Sequence, residues 1–542
     1  MRLYSMKSSR ALARLVQAGA ALTAVALVAG CGSNYKSVVT PVTSSGAAAQ
    51  VTSYAVAVSA PSSSTGVATI IDYSGDTVMA YASIDSGPYN FTLDELGSEG
   101  YTYNRDGTLT NFPISTSLQA KNVLYSTLST GAVPINWMAP STGLWAADLT
   151  SNVVDIFSGS PEAFKESIPT SETSPVFIAG APTTSGQREY AISQGFTDST
   201  GVTCNTSATS EASDGYATPI EISTYTADTP IKVGTCPVFA VQTPNLKRLF
   251  VVNRGSDTIT VINTVSNALD SCTPYENVAG QWVTCHPTIP LSQNALTATS
   301  VVPPNCASAS DTACAAMPTS AEPVFAEYNS TTQQLIVSDY VGGTISVIDV
   351  PLDEYGNDSN TYSSCTSTGS CTLTGGFGSV HTIKVGRQAT NTSITTSPYP
   401  ASLTVLYDGT KAYTANQGDD SGDGNGTVTV VNLSSYTVEK TLEVVGHPRT
   451  VVSTQNSEYT KIYASSPDSD YLTVLKSTGT STDVVDTTIL VDGEVVDVRT
   501  TTQNGSSGNI NYTSRTPGYG LPCNLPPSLL TPASATTCRE MP

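Results

Sequence analysis

A short grammar of β-structure recurs along this chain, and nothing else in the sequence limits its folding so tightly. A Pro opens a strand and a polar turn follows. A second apolar strand ends in Asn, Asp or Arg, and a Gly/Asp turn leads to a third strand that alternates Thr with Val or Ile. The clearest copy is Pro237-Val-Phe-Ala-Val, then Arg248-Leu-Phe-Val-Val-Asn-Arg-Gly255, then Thr258-Ile-Thr-Val-Ile-Asn263. Another runs from Pro323 through Gln334–Asp339 to Thr344–Asp349, and further copies open at Pro88, Pro134, Pro175, Pro400 and Pro448. Successive openings are 46, 41, 62, 86, 77 and 48 residues apart. The short intervals fit one four-stranded antiparallel blade, and the long ones a blade carrying an insertion. With 41 Gly, 32 Pro and 26 Tyr against 6 Met, the residue surplus favours turns and strands. The expectation is an all-β propeller.

The two ends of the repeat region are complementary. Val67–Pro88 aligns without gaps on Thr427–Pro448, the third and fourth strands of a unit, while Gly493–Val498 reads as a first strand and Asn509–Ser514 as a second. N-terminal strands three and four are therefore expected to complete a blade with C-terminal strands one and two, closing the ring and removing its open sheet edges. Seven full units and one composite predict eight blades, or seven if the C-terminal pair does not form. The propeller is assigned to residues 51–515, with insertions near 201–220, 270–322 and 351–378, and a tail over 516–542.

Arg248–Thr264 resembles the repeat of YVTN-type β-propellers, whose units read "YVaNrgsdtvsVidt", and Gln334–Val350 and Lys411–Leu433 match more loosely. The resemblance spans about residues 66–515 and implies the same architecture. Function is left open by it, since propellers host binding, scaffolding and several enzyme chemistries.

Ahead of the repeats, residues 1–14 hold Arg2, Lys7, Arg10 and Arg14 with no acidic residue, and Leu15–Gly30 is uncharged and apolar. This is the pattern of an export signal over residues 1–30. Leu27-Val28-Ala29-Gly30-Cys31 resembles a bacterial lipobox, which makes Cys31 the expected lipidation site and the membrane an expected partner, at roughly 0.8 kcal/mol per buried CH₂. Residues 31–50 are small, polar and Pro-interrupted, as in a flexible tether. Gly32 after the cysteine, by resemblance to Gram-negative lipoproteins, points to the outer membrane, on its periplasmic or surface side. Formal charge is 23 − 44 = −21, and removing the four signal cations leaves 19 − 44 = −25. An acidic chain without Lys/Arg clusters lacks the means to neutralise a phosphate backbone, which excludes nucleic acid.

Ten further cysteines, an even number in an exported chain, read as disulfides. Sequential pairing is expected: Cys204–Cys236, Cys272–Cys285, Cys306–Cys314, Cys365–Cys371 and Cys523–Cys538. No CxxC occurs, so the common zinc-ribbon and redox patterns are missing.

In a propeller, turns between strands two and three and links between blades open on one face, around the central channel. The expected binding residues there are Arg105, Arg254, Asp339, Arg387 and His447, with Asn104, Asp106, Asp148, Asn253 and Asn416 in like positions. Arg forks suit carboxylates, and Asp or Asn suit hydroxyls and amines, although any single one of them serves equally well as a turn residue. Asp419, Ser421 and Asp423 open like a calcium loop, but Val430 stands where the closing Glu belongs, so calcium is a minor expectation and no other cofactor is expected. The three histidines, His286, His381 and His447, fall in different units, and neither HExxH nor GxSxG occurs. The leading functional expectation is thus a lipid-anchored propeller that binds an envelope protein or glycan through its channel face and long insertions. The alternatives are an enzyme similar to propeller lactonases and a d1-haem-associated propeller.

Overall fold

The computed structural model describes residues 53–60, 65–94, 97–104, 107–128, 134–139, 143–149, 151–172, 174–180, 188–195, 214–270, 275–276, 282–283, 288–306, 311–352, 361–365, 371–391, 393–394, 397–418, 424–477 and 483–501. These form eight radial antiparallel sheets, here blades one to eight, whose strands are numbered from the axis outward. Blades two to seven open with first strands Pro88–Leu93, Pro134–Met138, Pro175–Gly180, Pro237–Gln242, Pro323–Asn329 and Pro400–Val405, each at its expected Pro. Blade eight differs slightly: its first strand is Thr450–Ser453, two residues beyond Pro448. Each first strand packs against the first strands of its two neighbours, and the series returns from Glu494–Thr500 to Pro88–Leu93. The ring is closed.

The closure departs from the expected division of strands. Blade one consists of Glu494–Thr500 innermost, then Tyr54–Ala60, Thr65–Asp72 and Thr77–Ser86. The N-terminus therefore supplies three strands and the C-terminus one. Tyr54–Ala60 occupies the second place expected for Asn509–Ser514, which lies outside the described residues. Its alternating YAVAVSA is buried on both faces, as a strand between two others requires. Reciprocal bonds tie the ends, Tyr54 N donating to Thr501 Oγ1 at 2.7 Å and Thr501 N to Tyr54 O at 2.8 Å.

Two left-handed positions repeat from blade to blade. The residue before the opening Pro has positive φ in five blades (Gly87, Ser174, Cys236, Glu322 and Tyr399). In four of these its carbonyl accepts the N–H just past the second strand, from Gln194, Arg254, Tyr340 and Gln417. The other position is in the turn between strands three and four, where Asp76, Tyr225, Asn267 and Tyr436 have φ of 52–55°. Each reaches the preceding blade. Asp76 holds Lys461 and Tyr463, Tyr225 packs with Trp145 and Lys165, Asn267 accepts from Tyr190, and Tyr436 stacks on His381. Left-handed backbone costs of order 1 kcal/mol in a non-glycine residue, and these inter-blade contacts offset it.

The largest core spans blades four to seven and includes Phe177, Phe239 and Phe325. These occupy equivalent places on three consecutive first strands, with ring centroids 4.4 and 4.6 Å apart. The insertion between blades five and six is partly absorbed into this core. Thr288–Pro290 pairs with the third strand of blade five, and Leu291, Cys314 and Ala321 are fully buried. Residues 288–306 and 311–322 thus pack onto the body instead of projecting as a recognition loop. Within them Cys306 and Cys314 form the expected disulfide, Cα atoms 5.9 Å apart. Cys236 is disulfide-bonded, and Cys365 stands opposite Cys371 in a two-stranded hairpin. Cys31, Cys204, Cys272, Cys285, Cys523 and Cys538 lie outside the described residues. Among the described residues no helix is long and apolar enough to cross a membrane.

Candidate functional site at the channel-mouth face

Strand connectivity puts the turns between strands two and three, and the blade-to-blade links, on one face. Arg254, Arg387 and His447 all lie there, each engaged by a different carboxylate. Arg254, in the turn of blade five, donates from Nε (3.0 Å) and Nη2 (2.7 Å) to Glu322 Oε2 on the following link. The backbone of Glu322 is fixed in turn by Asp257, whose Oδ1 accepts the Glu322 N–H at 2.8 Å. Asp257 Oδ2 accepts from Ser292 and Ser320 at 2.8 and 3.1 Å. Arg387, on the link from blade six to seven, donates to Glu443 Oε1 at 2.8 Å.

His447, on the link from seven to eight, is doubly held. Its backbone N–H donates to Asp468 Oδ1 at 2.9 Å, and its Nδ1 lies 2.5 Å from Asp468 Oδ2. Burial pushes the Asp468 carboxyl up, but the hydrogen bonds from His447 prevail and hold it below the usual range. This approach depends on Gly446, with φ of 72°, because a Cβ there would sit 2.6 Å from Asp468 Oδ1. In all three pairs the carboxylate is the more exposed partner: 26% for Glu322, 70% for Glu443 and 47% for Asp468, against 16–20% for Arg254, Arg387 and His447.

Asp339 does not stand at the mouth surface. It is fully buried, its Oδ2 accepting from Thr344 Oγ1 (2.9 Å) and Ser346 Oγ (2.8 Å) on the neighbouring third strand. Burial, with the nearby Asp257 charge, pushes its carboxyl up to about 8 against the lowering effect of those two hydroxyls. Asn104, Asn253 and Asn416 hold the equivalent place and donate to Thr108/Thr110, Thr258/Thr260 and Thr427/Thr429. The polar ends of second strands therefore knit a blade together. Arg105, Asp106, Asp419, Ser421 and Asp423 lie outside the described residues. Among the described residues no three His, Cys, Asp or Glu side chains converge as a metal would require.

One polar cluster was not anticipated. His381 Nε2 lies 3.1 Å from Asp349 Oδ2, and its ring stacks on Tyr436 of blade seven at 3.8 Å. Gln334 donates to Asp349 Oδ1 at 3.1 Å and to the Tyr436 hydroxyl at 3.2 Å. It belongs to a series at the opposite face, where the first residue of a second strand meets an acidic group: Arg188 with Glu221, Arg248 with Asp270, Lys411 with Glu439 and Asp483, Lys461 with Asp76. The cations that start second strands were the legible signal.

No protein-family model and no curated protein matches this chain. Several solved propellers are similar in architecture. AztD from Citrobacter koseri is 10% identical with a TM-score of 0.47, covering 84% of this chain and 99% of its own. The periplasmic gluconolactonase of Pseudomonas aeruginosa is 12% identical, TM-score 0.43, over 83% and 99%. A candidate 6-phosphogluconolactonase from Bacteroides fragilis is 12% identical, TM-score 0.44, over 84% and 99%. At these identities the likeness describes the fold.

Proposed function

We propose that the protein is an exported, lipid-anchored propeller that works as a binding module through its channel-mouth face, toward an envelope protein or glycan. The observation that carries this reading is the set of three side-chain pairs on that face, two Arg–carboxylate ion pairs and one His–carboxylate hydrogen bond. Arg254–Glu322, Arg387–Glu443 and His447–Asp468 fix their side chains in place across blade junctions of the ring, giving a rigid polar surface with carboxylates outward. Such preorganised groups suit recognition, because little side-chain freedom is lost on binding. Lipid anchoring through Cys31 rests on the N-terminal pattern. The test is photo-crosslinking in the native envelope, with a photoreactive residue replacing exposed Val445 on this face or exposed Ser457 on the opposite one. One dominant adduct from 445, weak or missing from 457, supports the reading; equal adducts from both positions, or none from 445, would remove it.

A second reading, hydrolysis of a lactone, is favoured by the His447–Asp468 pair. The carboxylate orients the imidazole through Nδ1, while Nε2 is buried, so this reading requires the site to open before a water can give up a proton there. Turnover of a panel of sugar lactones by the wild type, lost in both His447→Ala and Asp468→Asn, would move the assignment to this reading.

A further inference from the structure

We infer from the chain path that the membrane lies on the face of the propeller opposite the channel mouth, so that the mouth face points away from the lipid. This rests on the proposed anchor at Cys31. Tyr54 begins the second strand of blade one, opposite Asp72, the last residue of the third strand, while Thr500 ends the first strand beside Ala55. The chain therefore enters and leaves the propeller at the same face, that of the turns between strands one and two and between three and four. Gly97, in the turn between the first two strands of blade two, confirms the location: a Cβ there would meet Thr501 Cβ at 3.1 Å. Arg254, Glu322, Arg387, His447 and Asp468 belong to the other face.

Chain length then separates the two faces by the route each requires. From Cys31 to position 52 there are 52 − 31 = 21 residues of tether. Any chain of this length has a root-mean-square span of about 25 Å as a random coil, and about 70 Å when fully extended. To lay the mouth face on a bilayer, the tether would have to pass outward over two strands and then along the whole fourth strand. Thr77–Ser86 has ten residues, so that detour is about 34 Å plus two inter-strand spacings of about 4.8 Å. That route of about 44 Å exceeds the root-mean-square span although it lies within the extended reach, whereas the entry face needs no detour. Asp94, Asp408 and Glu458 occupy turns of the entry face, which also carries Arg188, Arg248, Lys411 and Lys461 at the starts of second strands.

The test uses the chain from Cys31 onward, coupled through Cys31 to a maleimide-headgroup lipid in vesicles that carry an acceptor dye. A donor is attached through a click-reactive residue replacing Ser457, in a turn of the entry face, or Val445, on the mouth face. A larger loss of donor emission at 457 than at 445 is expected. Equal losses, or a larger loss at 445, would overturn the inference. Mass spectrometry of the protein from cells tests the anchor separately: Cys31 without a diacylglyceryl group refutes the anchor, while the coupled-lipid result still judges the entry face on its own terms.

Discussion

Replacing Asp339 with Asn should stabilise the propeller at alkaline pH and leave it nearly unchanged near pH 3.5. Asp339 closes the second strand of blade six, where blades two, five and seven carry Asn104, Asn253 and Asn416, and all four sit against a pair of third-strand hydroxyls. Its full burial pushes the carboxyl up to about 8, from an ordinary 3.8. Between those values the folded chain holds a proton that the unfolded chain has released, so stability falls as pH rises across the window and levels off above about 8. The whole span corresponds to at most about 6 kcal/mol at 1.36 kcal/mol per pH unit. Local rearrangement and water entry reduce this, and burial of polar groups costs about 1–3 kcal/mol in mutational series. Asp339→Asn is therefore expected to gain about 1–3 kcal/mol near pH 8.5 and less than about 0.5 near pH 3.5, where folded and unfolded chains both hold the proton and a neutral carboxyl and an amide are near-isosteres. Denaturant midpoints of both proteins at the two pH values check this, and the double difference cancels every other titrating group. The same pH slope in both proteins would refute the buried, proton-holding state of Asp339.

Four further outcomes follow from the same packing. Lys461→Met should cost about 3–5 kcal/mol by leaving Asp76 buried without its cation, seen as a lower urea midpoint. Lys232→Ala, which removes an exposed pair with Asp214, should change the midpoint by less than about 1 kcal/mol. Phe239→Ala removes the middle ring of the Phe177–Phe239–Phe325 row and should cost about 3–5 kcal/mol in unfolding experiments. Cys306→Ser with Cys314→Ser opens a short loop, for which a loss of about 2–3 kcal/mol is expected; hydrogen exchange should rise across 288–322 first.

Much of the fold was legible because two signals in the sequence coincide. Alternation of Thr with Val or Ile marks a strand covered on both sides by neighbouring blades, and the opening Pro, which has no N–H to donate, is tolerated at the first position of an innermost strand. The register places Pro237 opposite Asn253 and Pro323 opposite Asp339, which is why one grammar located six first strands to the residue. The composite blade was harder. Its alignment began at Val67 and assigned no strand to Tyr54–Ala60, although those residues alternate toward two apolar neighbours. Left-handed residues before the opening Pro vary among Ser, Cys, Glu and Tyr, so no side-chain pattern betrays a conformation that backbone hydrogen bonding imposes.

The candidate site was legible in position and not in partnership. Arg254, Arg387 and His447 were placed on one face by strand connectivity alone, yet their carboxylates come from other elements: Glu322 from a link 68 residues away, Glu443 from a neighbouring blade's outer strand, Asp468 from a turn 21 residues on. Asp339 shows the converse error. A polar residue ending a second strand suggests an exposed group until the third strand is read with it, because Thr-x-Thr or Thr-x-Ser places two hydroxyls on one side of that strand. Thr108/Thr110, Thr258/Thr260, Thr344/Ser346 and Thr427/Thr429 all face the residue that closes the second strand. Where that hydroxyl pair is present, the Asn or Asp is committed to its own blade. His447 and Arg387 lie on links outside any such arrangement, and this separates residues of the mouth face from residues of the blade interior.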